Sequence, residues 1–429
     1  MKKILYSFLF LTTVATAQET VYPAPAQKGS IAINNATIHV GNGAVITNGS
    51  IVFENGKITQ VNTSATATAA TVINANGKHV YPGLILSSSN LGLLEVPSVR
   101  ATVDANEIGE INANVRSIVA YNTDSKVINT LKANGILLAN IAPNGSLLQG
   151  TSSVVQLDAW HWEDAAYAID KGVHINLPSL LNRPNPFAEF LGTASNTDPL
   201  KRGLEQIEKL KQFFRDAKAY NANPTAYPVN IKLSAVKGLF TQQQKLFVAA
   251  ETVKEMLIAI DFAKEFGCQV VIVGGSDSYL IAPLLKQNNI PVILGQCHTL
   301  PTLQDDDVDQ PYKTPAILQK AGVLFAINDD DGNSRFRNLA FNAGTAAAYG
   351  LTKEEALAAV SLNAAKILGI DAKTGSLEVG KDANIVISAG DLLDMKTSIV
   401  EHAFIQGRKV SLETKQTQLA KRYEVKYGL

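Results

Sequence analysis

The sequence has few cysteines, no net charge and no long apolar runs. Each of these absences excludes a class of protein. Two cysteines are too few for a disulfide-rich scaffold. Lysine plus arginine equals aspartate plus glutamate at 38 each, without blocks of like charge, so we expect no nucleic-acid or membrane partner. No apolar run reaches the roughly 20 residues that span a bilayer. With 46% hydrophobic residues, the chain has enough apolar surface for a sizeable core.

The N-terminus has the layout of a cleavable export signal. Lysines precede an apolar run over residues 4–11, and small residues at 15 and 17 flank a cleavage point before Gln18. We therefore expect residues 1–17 to be a signal peptide and the mature chain to be exported, to the periplasm or the extracellular space. Cys268 precedes one expected strand whereas Cys297 ends the next. Because these are opposite ends of a parallel sheet, we expect two free, buried thiols.

Two strand patterns follow one another along the mature chain. Residues 30–62 alternate between short β-branched runs and turns, and Asn55-Gly56 predicts a hairpin because a type I′ turn needs positive φ at both central positions. After Pro82, apolar runs alternate with amphipathic helical stretches, which is typical of a parallel sheet buried on both faces. Eight such runs are present: VYPGLIL, GILLANIAP, SSVVQLDA, GVHINLP, KLFVAAE, QVVIVGG, IPVILGQ and GVLFAIN.

This order of elements predicts an α/β protein built on a (β/α)8 TIM-type barrel. No G-x-G-x-x-G motif supports the rival structure, an open doubly wound sheet. The tail returns to strands in GSLEVGKDANIVISAG and VEHAFIQGRKVSL. Neither chain end makes a stable core alone, so residues 18–82 and 371–429 should share a small composite β-sandwich around a barrel of residues 83–370.

Three segments carry a resemblance to a known family: VYPGLI, AYGLTKEEALAAVSLNAAKILGI and GSLEVGKDANIVI, in this order. The chain resembles the amidohydrolase superfamily, in particular its imidazolonepropionase-like members, from about residue 32 to residue 411. The resemblance implies hydrolysis of non-peptide C–N bonds, amide or amidine, in small molecules with one or two divalent metals. It also implies metal ligands: an H-x-H on the first barrel strand, a His on strands five and six, and an Asp on strand eight.

Most of the ligand positions that the resemblance implies carry other residues. Zinc needs four nitrogen, sulfur or carboxylate donors at a structural site, and three protein ligands at an open catalytic site. We therefore predict that the metal centre is largely lost, and we expect no cofactor. The replaced positions are Ser88 and Asn90 for the H-x-H, Ala249 on strand five and Gly274 on strand six.

The strand-eight Asp persists in FAINDDDG as Asp330, with Asp329 as the alternative in register, and Asp330 is the catalytic candidate. Glu251 lies two residues after the strand-five position and so on the same face of the strand, and His298 follows strand seven. In an active enzyme, Glu251, His298 and Asp330 would form a rebuilt site for one divalent metal, zinc or manganese. The alternative is structural: a helix N-terminal carboxylate, a loop histidine and a turn aspartate.

Loops after the strands carry three arginines, Arg100, Arg116 and Arg335, whose planar guanidinium groups would clamp a carboxylate or phosphate of a small-molecule ligand. Internal ion pairs that brace the loops are the alternative. The other histidines recur at no metal-ligand spacing, and we interpret them as structural: His39, His79, His161, His174 and His402.

Three functions remain open at this stage, and the residues do not decide whether the chain is an enzyme. The first is a small-molecule-binding protein or companion subunit descended from a hydrolase. The second is an active hydrolase with the rebuilt site. The third is a structural partner of an intact amidohydrolase, with a homo-oligomer as another assembly that the sequence allows.

Overall fold

The computed structural model describes residues 21–145, 147–180, 198–226, 228–301, 305–330, 332 and 335–429. The expected signal peptide, residues 1–17, lies outside these ranges. Two eight-stranded sheets organise the described chain, one composite and one barrel-like. Within the same ranges, no helix combines the length and the apolarity needed to cross a membrane.

The composite sheet joins the two ends of the chain, as predicted. Its strand order is β16-β15-β14-β5-β1-β2-β3, with β4 beside β1. Backbone hydrogen bonds from Ile58 to Lys381 (2.9 Å) and from Ala383 to Gly56 (2.8 Å) tie one edge back to the segment before β14, so this single sheet encloses its own core. The strands are β1 (Ile31–His39), β2 (Val45–Glu54), β3 (Lys57–Asn62), β4 (Thr71–Asn74), β5 (His79–Pro82), β14 (Ile385–Ser388), β15 (Val400–Ile405) and β16 (Arg408–Val410).

The predicted hairpin at Asn55-Gly56 is confirmed. Both residues have positive φ, 50° and 78°, and Glu54 pairs with Lys57 across the turn. The domain limits 18–82, 83–370 and 371–429 stay predictions, although β5 ends at Pro82 and the first barrel strand begins at Leu84.

The barrel sheet contains all eight predicted strands in sequence order. Strand side chains are fully buried on both faces of the sheet, as Leu84, Val248 and Ile272 illustrate at 0% exposure. The predicted barrel fold is thus confirmed. The strands are β6 (Leu84–Ser89), β7 (Ile136–Ile141), β8 (Leu148–Gln156), β9 (Ala166–Asn176), β10 (Lys245–Ala250), β11 (Val270–Gly274), β12 (Val292–Leu294) and β13 (Phe325–Ile327).

One strand departs from the expected parallel arrangement. β8 runs antiparallel to both β7 and β9, whereas the other neighbouring pairs are parallel. The links on either side of β8 are residues 142–147 and 157–165. A parallel connection needs a dozen or more residues, usually with a helix, so these short links permit only an antiparallel strand.

A side chain completes the ring between the first and last barrel strands. Asn328 directly follows β13, and its Nδ2 donates to the carbonyl oxygen of Ser88 on β6 (2.8 Å). Its Oδ1 accepts from the backbone N–H of Ser88 (3.1 Å). The amide group of Asn328 therefore pairs with the backbone of β6 as a neighbouring strand would. It links the first and last strands at the barrel mouth, at a place that we call the barrel seam.

Helices surround the barrel, and some of them begin at side-chain caps. Thr252 and Glu255 form a capping box, as do Thr352 and Glu355. The α-helices are α1 (Lys126–Ala133), α2 (Trp162–Ala165), α3 (Pro199–Ala222), α4 (Ile231–Ala235), α5 (Lys237–Phe240), α6 (Val253–Phe266), α7 (Ala282–Gln287), α8 (Gln310–Ala321), α9 (Leu339–Ala348), α10 (Lys353–Ala359), α11 (Leu362–Leu368) and α12 (Lys415–Tyr427).

The two cysteines are free and buried, as predicted. Burial raises the pKa of the Cys268 thiol to about 11 and that of the Cys297 thiol to about 12. Both thiols are therefore protonated at neutral pH, which makes them poor nucleophiles.

Candidate functional site

Two adjoining cavities open at the C-terminal ends of the barrel strands, the face where barrel enzymes carry their active sites. The larger has a volume of about 410 Å³ and the smaller about 150 Å³. They share the wall formed by Gly274, Leu294, Gly295 and Asp330. The end of β11, the end of β12 and the segment after β13 therefore meet at one place, the barrel-mouth cavity.

Glu251 projects into this cavity from the end of β10. Its Oε2 accepts hydrogen bonds from the hydroxyl (2.6 Å) and the backbone N–H (3.1 Å) of Ser276. More than a third of the residue stays accessible to solvent, yet its carboxyl group lies in the recessed mouth. Desolvation there, with smaller contributions from the charges of Asp330 and Glu255, raises the pKa of Glu251 against the opposing effect of Ser276.

The carboxylate of Glu251 occupies the space that a side chain at position 274 would need. A Cβ built on Gly274 would lie 2.6 Å from Cδ of Glu251, far inside van der Waals contact, and the glycine has a φ of +96°. Position 274 is the one that the family resemblance assigns to the strand-six His. A histidine at this position and the observed position of the Glu251 carboxylate thus exclude each other, and the glycine leaves the space that the carboxylate occupies.

Asp330 reaches the same cavity from the segment after β13. Its Oδ1 accepts from the backbone N–H of Gln296 (3.0 Å), and its Oδ2 lies 2.9 Å from where a Cβ on Gly295 would be. A second glycine therefore makes room for a second carboxylate. Because Gly274 pairs with Leu294, next to Gly295, the two glycines lie on adjacent strands.

Asp329, the alternative in register, points away from the cavity. Its Oδ2 accepts a hydrogen bond from Asn342 of α9 (3.1 Å), and the residue is fully buried. Burial, with the charge of Asp330, raises the pKa of Asp329 to about 7 against the effects of Asn342 and Arg335. Of the two neighbouring acids, Asp330 is therefore the one that meets the cavity.

The two positions that the family resemblance assigns to the H-x-H of the first barrel strand line the smaller cavity. Ser88 and Asn90 both face it, together with Asn328. The backbone N–H and carbonyl oxygen of Ser88 are both hydrogen-bonded to the side chain of Asn328 at the barrel seam. Ala249 lies on β10, two residues before Glu251. None of these side chains offers a strong metal donor.

His298 does not join the two carboxylates. Its Nε2 lies 2.7 Å from the hydroxyl of Thr345 on α9, and its ring meets Tyr312 of α8 at a centroid distance of 6.1 Å. His298 is also not among the residues that line the barrel-mouth cavity. The structure thus brings together Glu251 and Asp330 of the predicted rebuilt set, and places His298 against the helices.

The three arginines lie outside the described lining of both cavities. Arg100 donates to the carbonyl oxygen of Val103 (2.7 Å), and Arg116 pairs with Asp170 (2.6 Å). Arg335 precedes a 3-10 turn and is exposed, near enough to Asp329 to lower the pKa of that carboxyl. Arg100 and Arg116 therefore brace loops, and the cavity has an acidic lining where the sequence suggested a basic one.

The donor set does not fit the metal centre that the fold implies. Within the described ranges, no group of three or more His, Cys, Asp or Glu side chains is placed to hold a metal ion. Asp306 also lines the cavity but does not complete a metal-binding group with the pair of carboxylates, Glu251 and Asp330, and the hydroxyl of Ser276 is already bonded to Glu251. A zinc site needs more strong donors than this pair.

Several residues of the cavity wall escaped prediction from the sequence. The signal for the two glycines was available, because glycine at the end of a strand often marks a close approach of another group. Hydroxyl and amide side chains such as those of Ser276 and Gln310 have no distinctive spacing. The unpredicted lining residues are Ser276, Tyr279, Gly295, Gln296, Thr299, Asp306, Gln310 and Thr314.

Comparison with known proteins agrees with this architecture. The Amidohydrolase family model matches residues 309–419. An amidohydrolase from Thermotoga maritima superposes with a TM-score of 0.77 at 25% identity, covering 89% of this chain and 99% of that chain. The chain belongs to the amidohydrolase superfamily. Its superfamily usually uses divalent metals, which makes the donor set at the barrel mouth unusual.

Within the amidohydrolase superfamily the chain is imidazolonepropionase-like. It is 34% identical over 133 residues to the imidazolonepropionase of Thermoplasma volcanium, covering 29% of this chain and 33% of that protein. It is 46% identical over 72 residues to the imidazolonepropionase of Pseudomonas aeruginosa, covering 16% and 18%. The matches span a third or less of these curated relatives. A Xaa-Pro dipeptidase with bound methionine (TM-score 0.55, 14% identity, covering 89% of this chain and 100% of that chain) shares the fold alone.

Proposed function

We propose that this amidohydrolase-superfamily protein binds a small organic cation at its barrel mouth, in the place where relatives would hold their metal. The observation that carries the proposal is the pair of carboxylates, Glu251 and Asp330, seated over Gly274 and Gly295 in one cavity. A positively charged nitrogen between the two acids would balance the negative charge that they bring into a recessed space.

The lining of the cavity supports a cationic ligand over an anionic one. Three of its residues, Glu251, Asp306 and Asp330, are acidic, and none of its described lining residues is Lys, Arg or His. Tyr279 adds an aromatic side chain, which favours cations through the negative face of its ring. The volume of about 410 Å³ lies within the range of small-molecule sites.

The proposal makes this chain a binding protein whose inherited class is C–N hydrolysis but whose metal ligands have been replaced at Ser88, Asn90, Ala249 and Gly274. It also includes export to the periplasm or beyond, as the N-terminal pattern predicts. Pairing with an intact amidohydrolase or with a second copy of the chain stays a prediction.

Hydrolysis is the second candidate, and one observation favours it. Desolvation, with a smaller contribution from the charge of Asp330, raises the pKa of Glu251, so that this carboxyl group holds a proton more readily than an ordinary glutamate and lies beside a second carboxyl group. Such a pair is the usual basis of general acid–base catalysis. The two candidates predict different results in the same experiment.

The experiment uses three molecules of matched shape and different charge: benzamidine, benzamide and benzoate. Purified mature protein is first tested for bound metal by elemental analysis, and binding is then measured by calorimetric titration. We expect benzamidine to bind at least tenfold more tightly than benzamide, and benzoate not to bind. Glu251→Gln and Asp330→Asn should each weaken benzamidine binding, whereas Glu424→Gln, an exposed acid on α12, should not.

Two outcomes would overturn the proposal. Tighter binding of benzoate than of benzamidine would show that the cavity does not select cations. Stoichiometric metal, with turnover of cyclic amides that Asp330→Ala abolishes, would establish a rebuilt hydrolase instead. Metal-free turnover that Glu251→Gln abolishes would support the acid–base candidate.

A further inference from the structure

Another cavity, of about 410 Å³, lies away from the barrel mouth, where the composite sheet meets helix α10. Three side chains of its wall form a hydrogen-bonded chain. His39, the last residue of β1, directs Nδ1 to Oε1 of Glu354 on α10 (2.7 Å). Its Nε2 lies 2.9 Å from Nδ1 of His79, the first residue of β5. This Glu354–His39–His79 chain connects two strands of the sheet to a helix of the barrel.

The position of each proton in the chain follows from its carboxylate. Ionised Glu354 only accepts hydrogen bonds, so His39 must donate from Nδ1. A neutral imidazole with hydrogen on Nδ1 has its lone pair on Nε2, so Nε2 of His39 accepts from Nδ1–H of His79. The remaining lone pair lies on Nε2 of His79. One further proton can be taken up there without breaking either hydrogen bond.

Other charged and aromatic groups face the chain from the neighbouring elements. Tyr81 of β5 stacks on His39, with ring centroids 4.4 Å apart and planes 7° from parallel. Lys353 of α10 pairs with Asp391 (2.6 Å), and Asp394 lines the same cavity. Burial lowers the pKa of His79, and the charges of His39 and Lys353 add to this effect against that of Asp391.

We propose that the Glu354–His39–His79 chain is a proton-binding site that weakens the joint between the composite sheet and the barrel in acid. A second proton would place N–H groups on both nitrogens of the 2.9 Å contact, and their repulsion would break it. In the unfolded chain both rings protonate near pH 6.5. The folded protein therefore binds one proton fewer than the unfolded chain, and its stability decreases as pH falls below about 6.5.

The carboxylate of Glu354 makes the joint sensitive to this break. Oε2 of Glu354 is buried and has no hydrogen-bond partner within the described structure. Oε1 depends on His39, so opening of the chain would leave a desolvated charge without its donor. Once the two imidazoles separate, the described structure therefore offers Glu354 no second donor in place of His39.

Urea denaturation between pH 7.5 and 5.0, with EDTA present, tests the proposal. Below pH 6.5, the unfolding equilibrium constant of the wild type should rise, relative to that of His79→Gln, by up to tenfold per pH unit. The control His161→Gln, at an exposed histidine, should follow the wild type. Parallel pH profiles of wild type and His79→Gln would overturn the proposal.

A second measurement needs no variant and so does not depend on the folding of His79→Gln. The chain has six histidines, few enough for ¹⁵N-histidine labelling and long-range proton–nitrogen correlation. At pH 7.5 both His39 and His79 should show the Nδ1–H tautomer. An Nε2–H tautomer at His39 would contradict the order of the chain and with it the proposed site.

Discussion

Replacement of Gly274 by alanine tests whether Glu251 owes its position to the missing side chain. The added Cβ would lie 2.6 Å from Cδ of Glu251, so the carboxylate must leave and lose its two hydrogen bonds from Ser276. The φ of +96° at Gly274 is also one that side-chain residues rarely adopt.

Two effects set the size of the expected loss. Backbone strain at such a position costs roughly 1–3 kcal/mol. Displacement of the carboxylate adds about 1 kcal/mol, less than a buried charged hydrogen bond is worth, because Glu251 is partly exposed and water can replace Ser276. We therefore expect Gly274→Ala to lower the free energy of unfolding by about 2–4 kcal/mol.

The assay is urea denaturation, with midpoints compared at constant slope. Gly267→Ala is the matched control, because Gly267 has a φ of +69° and nothing within 4 Å of its Cβ position. It should lose only the strain, roughly 1–2 kcal/mol. In a Glu251→Ala background, Gly274→Ala should cost about 1 kcal/mol less than in the wild type. If the losses from Gly274→Ala and Glu251→Ala add within about 0.5 kcal/mol, the two residues are not coupled. The glycine would then not be what allows Glu251 its position.

Three more predictions concern buried polar groups. Asn328→Ala leaves the N–H and carbonyl of Ser88 unpaired at the barrel seam and should lower the free energy of unfolding, measured by urea denaturation, by about 2–4 kcal/mol. A loss below about 1 kcal/mol would show that Asn328 does not stabilise the closure of the barrel. Burial raises the pKa of Asp329 from 3.8 to about 7. Between these two pH values the folded protein holds a proton on Asp329 that the unfolded chain releases, so the stability that this proton contributes is lost as pH rises through 7. Asp329→Asn should therefore be more stable than wild type by at least about 1 kcal/mol at pH 8, with the difference shrinking toward pH 4; equal stability at pH 8 would count against it. Cys268 and Cys297 should react with a thiol reagent only in denaturant, and rapid labelling of the native protein would show that they are not buried.

Local signals explain why much of the fold was predictable. The Asn55-Gly56 turn requires positive φ at two successive residues, a condition that these residue types meet without help from the rest of the chain. The eight barrel strands were visible as apolar runs because strands buried on both faces are rich in apolar side chains. The direction of β8 was missed although its links, residues 142–147 and 157–165, were too short for a parallel connection. Link length, and not the apolar pattern, sets the direction of this strand.

The candidate site was less predictable, because its side chains come from separate strands. Spacing placed Glu251 and Asp330 at the correct end of the barrel, but gave no direction for His298, which turns to Thr345 of α9. The arginines were expected in the site because loops after strands build it, yet Arg116 finds Asp170 as a closer partner. A loop residue's position in the sequence does not determine which way its side chain faces.

Residue types and their order along the chain suffice to identify the barrel and the composite sheet, and to predict the loss of the family's imidazole ligands, because turn preference, hydrophobic pattern and ligand chemistry are properties of short segments. The meeting of Glu251 with Gly274, and of Asp330 with Gly295, appears only once the strands lie in register and bring their ends to a common mouth. The same holds for Glu354, His39 and His79, which are distant in sequence and contact one another because the sheet packs on the barrel. Closure and packing, which no short segment encodes, bring these charges together.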